Sequence, residues 1–322
     1  MKTSRCIAMI KQWIFFVLIY FFVAGCGDNG GKATSTGVSD TPVSGTIQIS
    51  VDESFRPVIE EEIKVFEATH PGTKINAVYK PEAECLKDLF KDSATRMVIV
   101  TRGLSKAEAG YFDDSLNYVP RSERIAADAI AVVVNAKSTD TTFSLNQLQQ
   151  LLTGEANNNK KIVFDGLNAT STIRFAMDSI LKGKKFDSNK VQAAKNSKEV
   201  LDYVVSDENA IGFVGISWIG NPEDTAQVNM LKKVKIAYIK CELCLDTPYV
   251  KPTQAGIITR RYPLVRGLYY ILKENFSGLG GGLAGFMQYE RGQLIFRRAY
   301  LQPGIIDFNV RDVIVNEKLK KE

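Results

Sequence analysis

Apolar and polar positions alternate along this chain in a pattern that predicts strand, helix, strand from Thr46 onward. TIQISV has the two-residue period of a strand. Ser54 can cap the next helix, Pro57 is tolerated in its first turn, and Ile59, Ile63 and Phe66 form one helical stripe that His70-Pro71-Gly72 ends. Lys74 to Tyr79 reads as a second strand, Ala83 to Phe90 as a helix, and Met97 to Val100 as a third strand running into Thr101-Arg102-Gly103. Short connections between such units imply a parallel sheet with right-handed crossovers, in which ligands sit beyond the carboxyl ends of the strands. Here those ends are Asp52 to Phe55, Lys80-Pro81-Glu82 and Thr101-Arg102.

From Arg124 the pattern changes. RIAADAIAVVVNA predicts one long strand that crosses between lobes, and Ser144 and Gln147 are spaced as a capping box for the helix LNQLQQLLTG. Ile162 to Leu181 then gives an apolar strand, a polar loop, and a helix with Ile173, Ala176, Met177, Ile180 and Leu181 on one face. A hydroxyl-rich helix start at Thr170, Ser171 and Thr172 fits either anion binding through free backbone N–H groups or an ordinary N-cap. Helices are expected near Asn189 to Lys195 and Glu199 to Val205, and strands at AIGFVGISWIG and KVKIAYIK. Around Tyr249 to Ile258 the chain crosses back. The Gly-rich 278–282, a helix over GFMQYERGQLIFRRAY and Gln302-Pro303-Gly304 complete the first lobe. The expectation is an α/β protein of two lobes, each a mixed sheet flanked by helices, joined by a two-strand hinge. Residues 46–123 and 255–322 form the first lobe and 124–254 the second.

Residues 1–25 stand apart. Lys2, Arg5 and Lys11 precede an apolar run, Trp13 to Ala24, that is short for a membrane span. It ends in Val23-Ala24-Gly25-Cys26, which resembles the bacterial lipobox, with Cys26 the lipidated N-terminus after cleavage. Residues 26–45 are Gly, Ser, Thr and Asp with little to bury, and read as a flexible tether. The implied localisation is a membrane-anchored lipoprotein on the periplasmic or outer-surface side.

Composition narrows the function. The 322 residues are 45% hydrophobic and 24% charged, as in globular proteins. Losing three basic residues with the signal leaves 38 basic against 36 acidic, and no basic cluster argues for nucleic acid. The one histidine, His70, lies in a turn without a carboxylate or Cys pattern, so neither metal nor catalysis is expected of it. No Ser-His-Asp, paired-carboxylate or phosphate-loop pattern appears, so neither an enzyme nor a cofactor is expected. Of five cysteines, Cys6 leaves with the signal. Cys241-Glu-Leu-Cys244 has metal-like or redox-like spacing, but no second pair supports zinc. A local disulfide fits an oxidising compartment, with two free thiols the alternative, and Cys85 stands alone. Asn168-Ala169-Thr170 reads as an accidental glycosylation sequon.

DAIAVVVN followed by SLNQLQQLLTGE, AIGFVGISWI, RRYPLVRGLYY and GFMQYERGQ…YLQPG, in this order, resemble the phosphate-binding lipoproteins and periplasmic proteins of phosphate ABC transporters. The resemblance spans roughly Thr46 to Pro303 and implies a monomeric, two-lobed solute-binding protein whose partners are phosphate or a similar oxyanion and an ABC permease. It implies ligand contacts at Ser54-Phe55 and at Thr170, Ser171 and Thr172. The family's Arg before that loop is absent. Thr101-Arg102 stands where the family has an Asp after the third strand, and Pro81-Glu82-Ala83-Glu84 where it has a small polar loop. Arg102 is therefore expected to supply the guanidinium, and Glu82 or Glu84 the carboxylate that accepts the ligand's proton, with Asp128 or Asp52 behind them. Two alternatives remain: another oxyanion, or a surface or sensory lipoprotein that keeps the fold for protein contacts.

Overall fold

The computed structural model describes residues 40–304 except 157, 167–169 and 246–248. The expected signal, Cys26 and most of the tether lie outside the described residues, as does most of the sequon.

Two sheet halves share one long strand. In the first half β1 (Gly45–Asp52) pairs in parallel with β2 (Thr73–Lys80) and β3 (Thr95–Val100). Their crossovers are α1 (Arg56–Thr69) and α2 (Glu82–Lys91). A single 3₁₀ turn, Glu53–Phe55, joins β1 to α1. After α3 (Lys106–Leu116), β4 (Arg121–Asn135) runs into the second half. The further elements there are β5 (Thr142–Phe143), α4 (Leu145–Thr153), β6 (Lys161–Phe164), α5 (Ser171–Phe175), β7 (Val191–Ala193), α6 (Ser197–Ser206) and β8 (Ala210–Gly215). The chain goes on through α7 (Thr225–Met230), β9 (Val234–Ile236), β10 (Tyr238–Lys240) and β11 (Tyr249–Val250). It returns through α8 (Gln254–Ile258) to β12 (Val265–Leu272), α9 (Leu279–Gln288), α10 (Glu290–Arg298) and β13 (Gln302–Pro303).

The main sheet order is β2-β1-β3-β12-β4-β8-β6-β7. Residues Arg121 to Ala129 of β4 pair with β12, and Ile130 to Val134 pair with β8, so the two halves meet inside one strand. The unbroken burial of Ile125 to Asn135 results, since that strand is covered on both faces.

Several elements differ from the sequence expectation for identifiable reasons. The helix expected near Asn189 to Lys195 is strand β7, whose Val191 is buried and paired in register with Ile162 at the sheet edge. Edge pairing overrides a weak helical pattern there. KVKIAYIK is two strands: β9 pairs with β4, while β10 joins β5 and β11 in a separate sheet. The last long helix breaks at Tyr289, whose extended backbone separates α9 from α10. The Gly-rich segment is the first turn of α9. A side chain at Gly282 would collide with the Pro42 backbone, so the glycines let the incoming chain lie against the helix. The helix expected after Thr172 is α5 followed by one π-helical turn, Ala176–Leu181, closed by Lys182 in the left-handed region.

Candidate functional site

The charged centre of the molecule is Arg266, in the strand sequence VRGLYYIL. Arg266, Leu268 and Tyr270 share the buried phase of β12, so the guanidinium points inward; its side chain is 3% exposed. In the antiparallel register Arg266 lies opposite Asp128 on β4. Its Nε–H donates to Asp128 Oδ2 at 2.8 Å. Nη1–H donates to Ser171 Oγ at 2.8 Å and Thr172 Oγ1 at 3.4 Å, both from α5, and Nη2–H to Ser54 Oγ at 3.1 Å, from the β1–α1 turn. One planar fork therefore joins hydroxyls from both halves of the sheet, and Ser54 Oγ and Ser171 Oγ lie 3.3 Å apart. The Phe55 ring centroid is 4.8 Å from the guanidinium carbon.

Three carboxylates surround this fork. Besides Asp128, Asp52 accepts the Ser54 hydroxyl at 3.0 Å, and Asp165 accepts the Thr172 hydroxyl at 3.2 Å. One oxygen of each, Asp52 Oδ2, Asp128 Oδ1 and Asp165 Oδ1, is buried without a hydrogen-bond partner among the described residues. Burial pushes Asp52 up to about 7, with Arg266 pulling back and Glu82 adding to the rise, and pushes Asp165 up to about 6. Burial also raises Asp128, against the pull of Arg266. Burial opposes the Arg266 charge, but the surrounding carboxylates outweigh it and keep the guanidinium ionised. Gly215, at the end of β8, permits this packing: a side chain there would come within 3.3 Å of both Arg266 Nη2 and Asp128 Oδ2, and 3.1 Å of the Ser54 carbonyl.

The structure brings Ser54, Phe55, Asp52, Asp128, Ser171 and Thr172 together. Thr170 caps α5, its hydroxyl accepting the Ile173 N–H at 3.3 Å, and Asp52 accepts the Ser54 N–H at 3.1 Å. Both chain starts expected to offer bare N–H groups thus have a side-chain cap, and what converges between them is a set of hydroxyls and the Arg266 guanidinium.

Arg102 does not reach this centre but lines a cleft with Glu82, Thr170 and Arg174. It forms a bidentate pair with Glu108, at 2.7 and 2.8 Å, and Glu108 completes the capping box of Ser105 on α3. Arg102 and the Ser105 N–H hold Glu108 at about 2. The guanidinium that touches Ser54 and Ser171 is that of Arg266, not Arg102. Glu84 is exposed on the outer face of α2 and cannot reach the centre. Glu82 is buried at the start of α2 and bridges the cleft: it accepts the Thr101 N–H at 2.8 Å, the Thr101 hydroxyl, and Arg174 Nε–H of α5 at 2.8 Å. Arg174 also donates to Thr101 Oγ1. Burial opposes ionisation of Glu82, yet Arg174 and Thr101 together hold it below its ordinary value. A second bridge lies nearby, where Glu53 accepts the Ser197 N–H at 3.2 Å and hydroxyl at 2.9 Å at the start of α6.

Sequence reasoning missed Arg266 and Asp165. The signal was present for the first: an Arg in the inward phase of an otherwise apolar strand, and Asp128 as the one charge between Ile125 and Asn135. Two such charges must pair when buried. Cys241 and Cys244 are joined by a disulfide and Cys85 is free and buried. Among the described residues no group of His, Cys, Asp and Glu is placed to hold a metal ion.

Known structures share this architecture. A structure from Clostridium perfringens reported as a phosphate ABC transporter substrate-binding protein with bound phosphate is 20% identical, at a TM-score of 0.66, covering 80% of this chain and 99% of that one. An ABC-type phosphate transport receptor from Vibrio cholerae is 18% identical, at 0.56, covering 80% and 100%. PstS from Borrelia burgdorferi is 16% identical, at 0.50, covering 80% and 98%. No curated protein matches the sequence. The PBP superfamily domain matches residues 36–290, a family of binding proteins rather than enzymes, and the chain therefore belongs to that superfamily.

Proposed function

We propose that the chain is a lipid-anchored solute-binding protein that captures a protonated tetrahedral oxyanion, phosphate first among them, and hands it to an ABC permease. The observation behind this reading is the convergence of Arg266, Ser54, Ser171 and Thr172 from both halves of the sheet beside carboxylate oxygens without partners. With the Ser54 and Thr172 O–H groups turned away from Asp52 and Asp165, they, Ser171 and the guanidinium can donate to an oxyanion's oxygens. A carboxylate can accept the remaining proton of phosphate but meets only lone pairs on sulfate, which is discrimination by repulsion. The transport structures of the same fold, one with phosphate bound, support the phosphate and permease parts of the reading, and Val23-Ala24-Gly25-Cys26 supports the lipid anchor.

Calorimetric titration of the mature protein with phosphate and with sulfate tests it. Phosphate binding without sulfate binding is expected; no phosphate taken up at about millimolar concentration, a binding free energy near 4 kcal/mol, overturns the transport reading. One observation favours the second reading, a surface lipoprotein that keeps the fold for protein contacts. The Arg266 donors to Ser54, Ser171 and Thr172 and the Glu82–Arg174 bridge already tie the two halves together through side chains alone. Replacing Cys26 by Ala should move the protein from the membrane to the soluble fraction; a processed variant that stays with membranes removes the lipid anchor from the reading.

A further inference from the structure

The disulfide loop between β10 and β11 has an asymmetry that a simple staple does not need. Cys241 is 3% exposed, whereas Cys244 reaches the surface. Arg261 Nε–H donates to Cys244 Sγ at 3.3 Å. Leu243 and Leu245 beside it are 77% and 100% exposed, so nothing among the described residues covers this face of the loop. An accessible sulfur beside a guanidinium is the setting that stabilises a thiolate, and the thiolate is the species that exchanges. Arg261 and Glu242 are both exposed, and Arg261 is the one whose hydrogen bond to the sulfur places its charge in contact with it.

We infer that Cys241–Cys244 is a thiol–disulfide exchange site, with Cys244 the exchanging sulfur, Cys241 the resolving one, and a solvent-borne dithiol or its disulfide as co-substrate. In the reducing direction a thiolate of the dithiol attacks Cys244 Sγ. The bond to Cys241 breaks, and its electron pair stays on Cys241, which takes up a proton. The dithiol's second thiolate then attacks the dithiol sulfur of the mixed disulfide, closing a cyclic disulfide. The bond to Cys244 breaks and leaves that sulfur as a thiolate beside Arg261. Two electrons pass from dithiol to protein, one proton ends on Cys241 and one in solvent. The oxidising direction is the reverse, begun by Cys244 and completed by Cys241. This inference is independent of the anion reading.

The test treats the mature protein with dithiothreitol under native conditions, removes the reagent, and follows alkylation at neutral pH by peptide mass spectrometry. The disulfide should open without loss of the folded circular dichroism spectrum. Cys244 should be labelled about tenfold or more faster than Cys241, with buried Cys85 unlabelled as an internal control. Arg261→Ala should slow Cys244 labelling by about twofold to fivefold, and Arg261→Lys, which keeps the charge, should recover part of that loss. Arg261 is exposed, so neither substitution should affect folding. Opening only in denaturant, equal labelling of both cysteines, or an Arg261→Ala rate equal to wild type would each overturn the assignment.

Discussion

Arg266 holds together chemistry that the sequence distributes over four distant segments, and its replacement separates charge from shape. Removing the guanidinium leaves Asp128 buried and unpaired, which costs on the order of 3–5 kcal/mol, so Arg266→Ala should unfold at much lower urea. Arg266→Lys keeps a charge for Asp128 but loses the fork. It should remain folded and weaken phosphate by about tenfold to a hundredfold, the loss of one charge-assisted hydrogen bond. Calorimetry on Arg266→Lys with unchanged phosphate affinity would remove Arg266 from the ligand site. Glu62 presents a different buried charge. It lies on the inner face of α1, is 0% exposed, and neither carboxylate oxygen has a hydrogen-bond partner among the described residues. Burial raises its pKa well above the ordinary value. A raised carboxyl contributes stability that is fully present below its unfolded pKa and is lost as pH rises through the folded one. Glu62→Gln should therefore gain in melting temperature relative to wild type as pH is raised from about 4 to about 8. A constant difference across that range would show that Glu62 is not the group responsible. Residue patterns made Ser54, Ser171 and Thr172 legible because hydroxyls at chain starts stand out locally, and Phe55 came with Ser54 through the family resemblance. Arg266 did not stand out, since its meaning depends on a cross-strand partner 138 residues away.

Elements were easier to read than residues because period and caps are local. The strands of the first half and the Ser144–Gln147 capping box come from the alternation of side chains and one reciprocal pair of hydrogen bonds. What failed was decided by neighbours: β7 exists through its pairing with β6, and α9 begins in glycines because Pro42 lies against it. The junction where the chain enters the fold is also a tertiary device. Arg96, on β3, donates to Glu274 at 2.6 Å and to Asp40 at 2.9 Å. Those two carboxylates accept the N–H groups of Leu279, Gly280 and Gly281 at the start of α9. A helix N-terminus, two carboxylates and one guanidinium thus clamp Asp40 to the body. Arg96→Ala should lower stability by about 1.5–3 kcal/mol, read as a shift in the urea midpoint, because Glu274 loses its cation while remaining buried. A variant as stable as wild type would show that the clamp contributes nothing.

At the scale of the whole molecule, the chain order of strands made the two-lobed fold legible, while the bridges between the halves were not, since they join side chains far apart in sequence. Glu82 and Arg174 lie 92 residues apart and meet at 2.8 Å, with Thr101 between them. Glu82 was legible as a carboxylate at a strand end, and what the sequence did not show is its partner, Arg174 of the opposite half. Glu82 sits below its ordinary pKa. The stability this contributes is present above the unfolded pKa and is lost only as pH falls through the folded one, so the bridge stays at full strength at neutral pH. Arg174 is 41% exposed, and solvent screening keeps the contribution of the bridge to about 1–2 kcal/mol rather than that of a fully buried pair. In a two-state opening and closing, that energy changes the closed-to-open ratio by about fivefold to thirtyfold. Arg174→Ala should therefore expand the ligand-free protein in small-angle scattering. It should also weaken oxyanion binding by up to the same factor, because the open form must be closed at the ligand's expense. The two readouts separate two roles. Expansion with unchanged affinity means that the ligand does not require closure. Weakened affinity without expansion means that Arg174 touches the ligand instead of holding the lobes. If neither changes, the Glu82–Arg174 bridge does not bias closure at all.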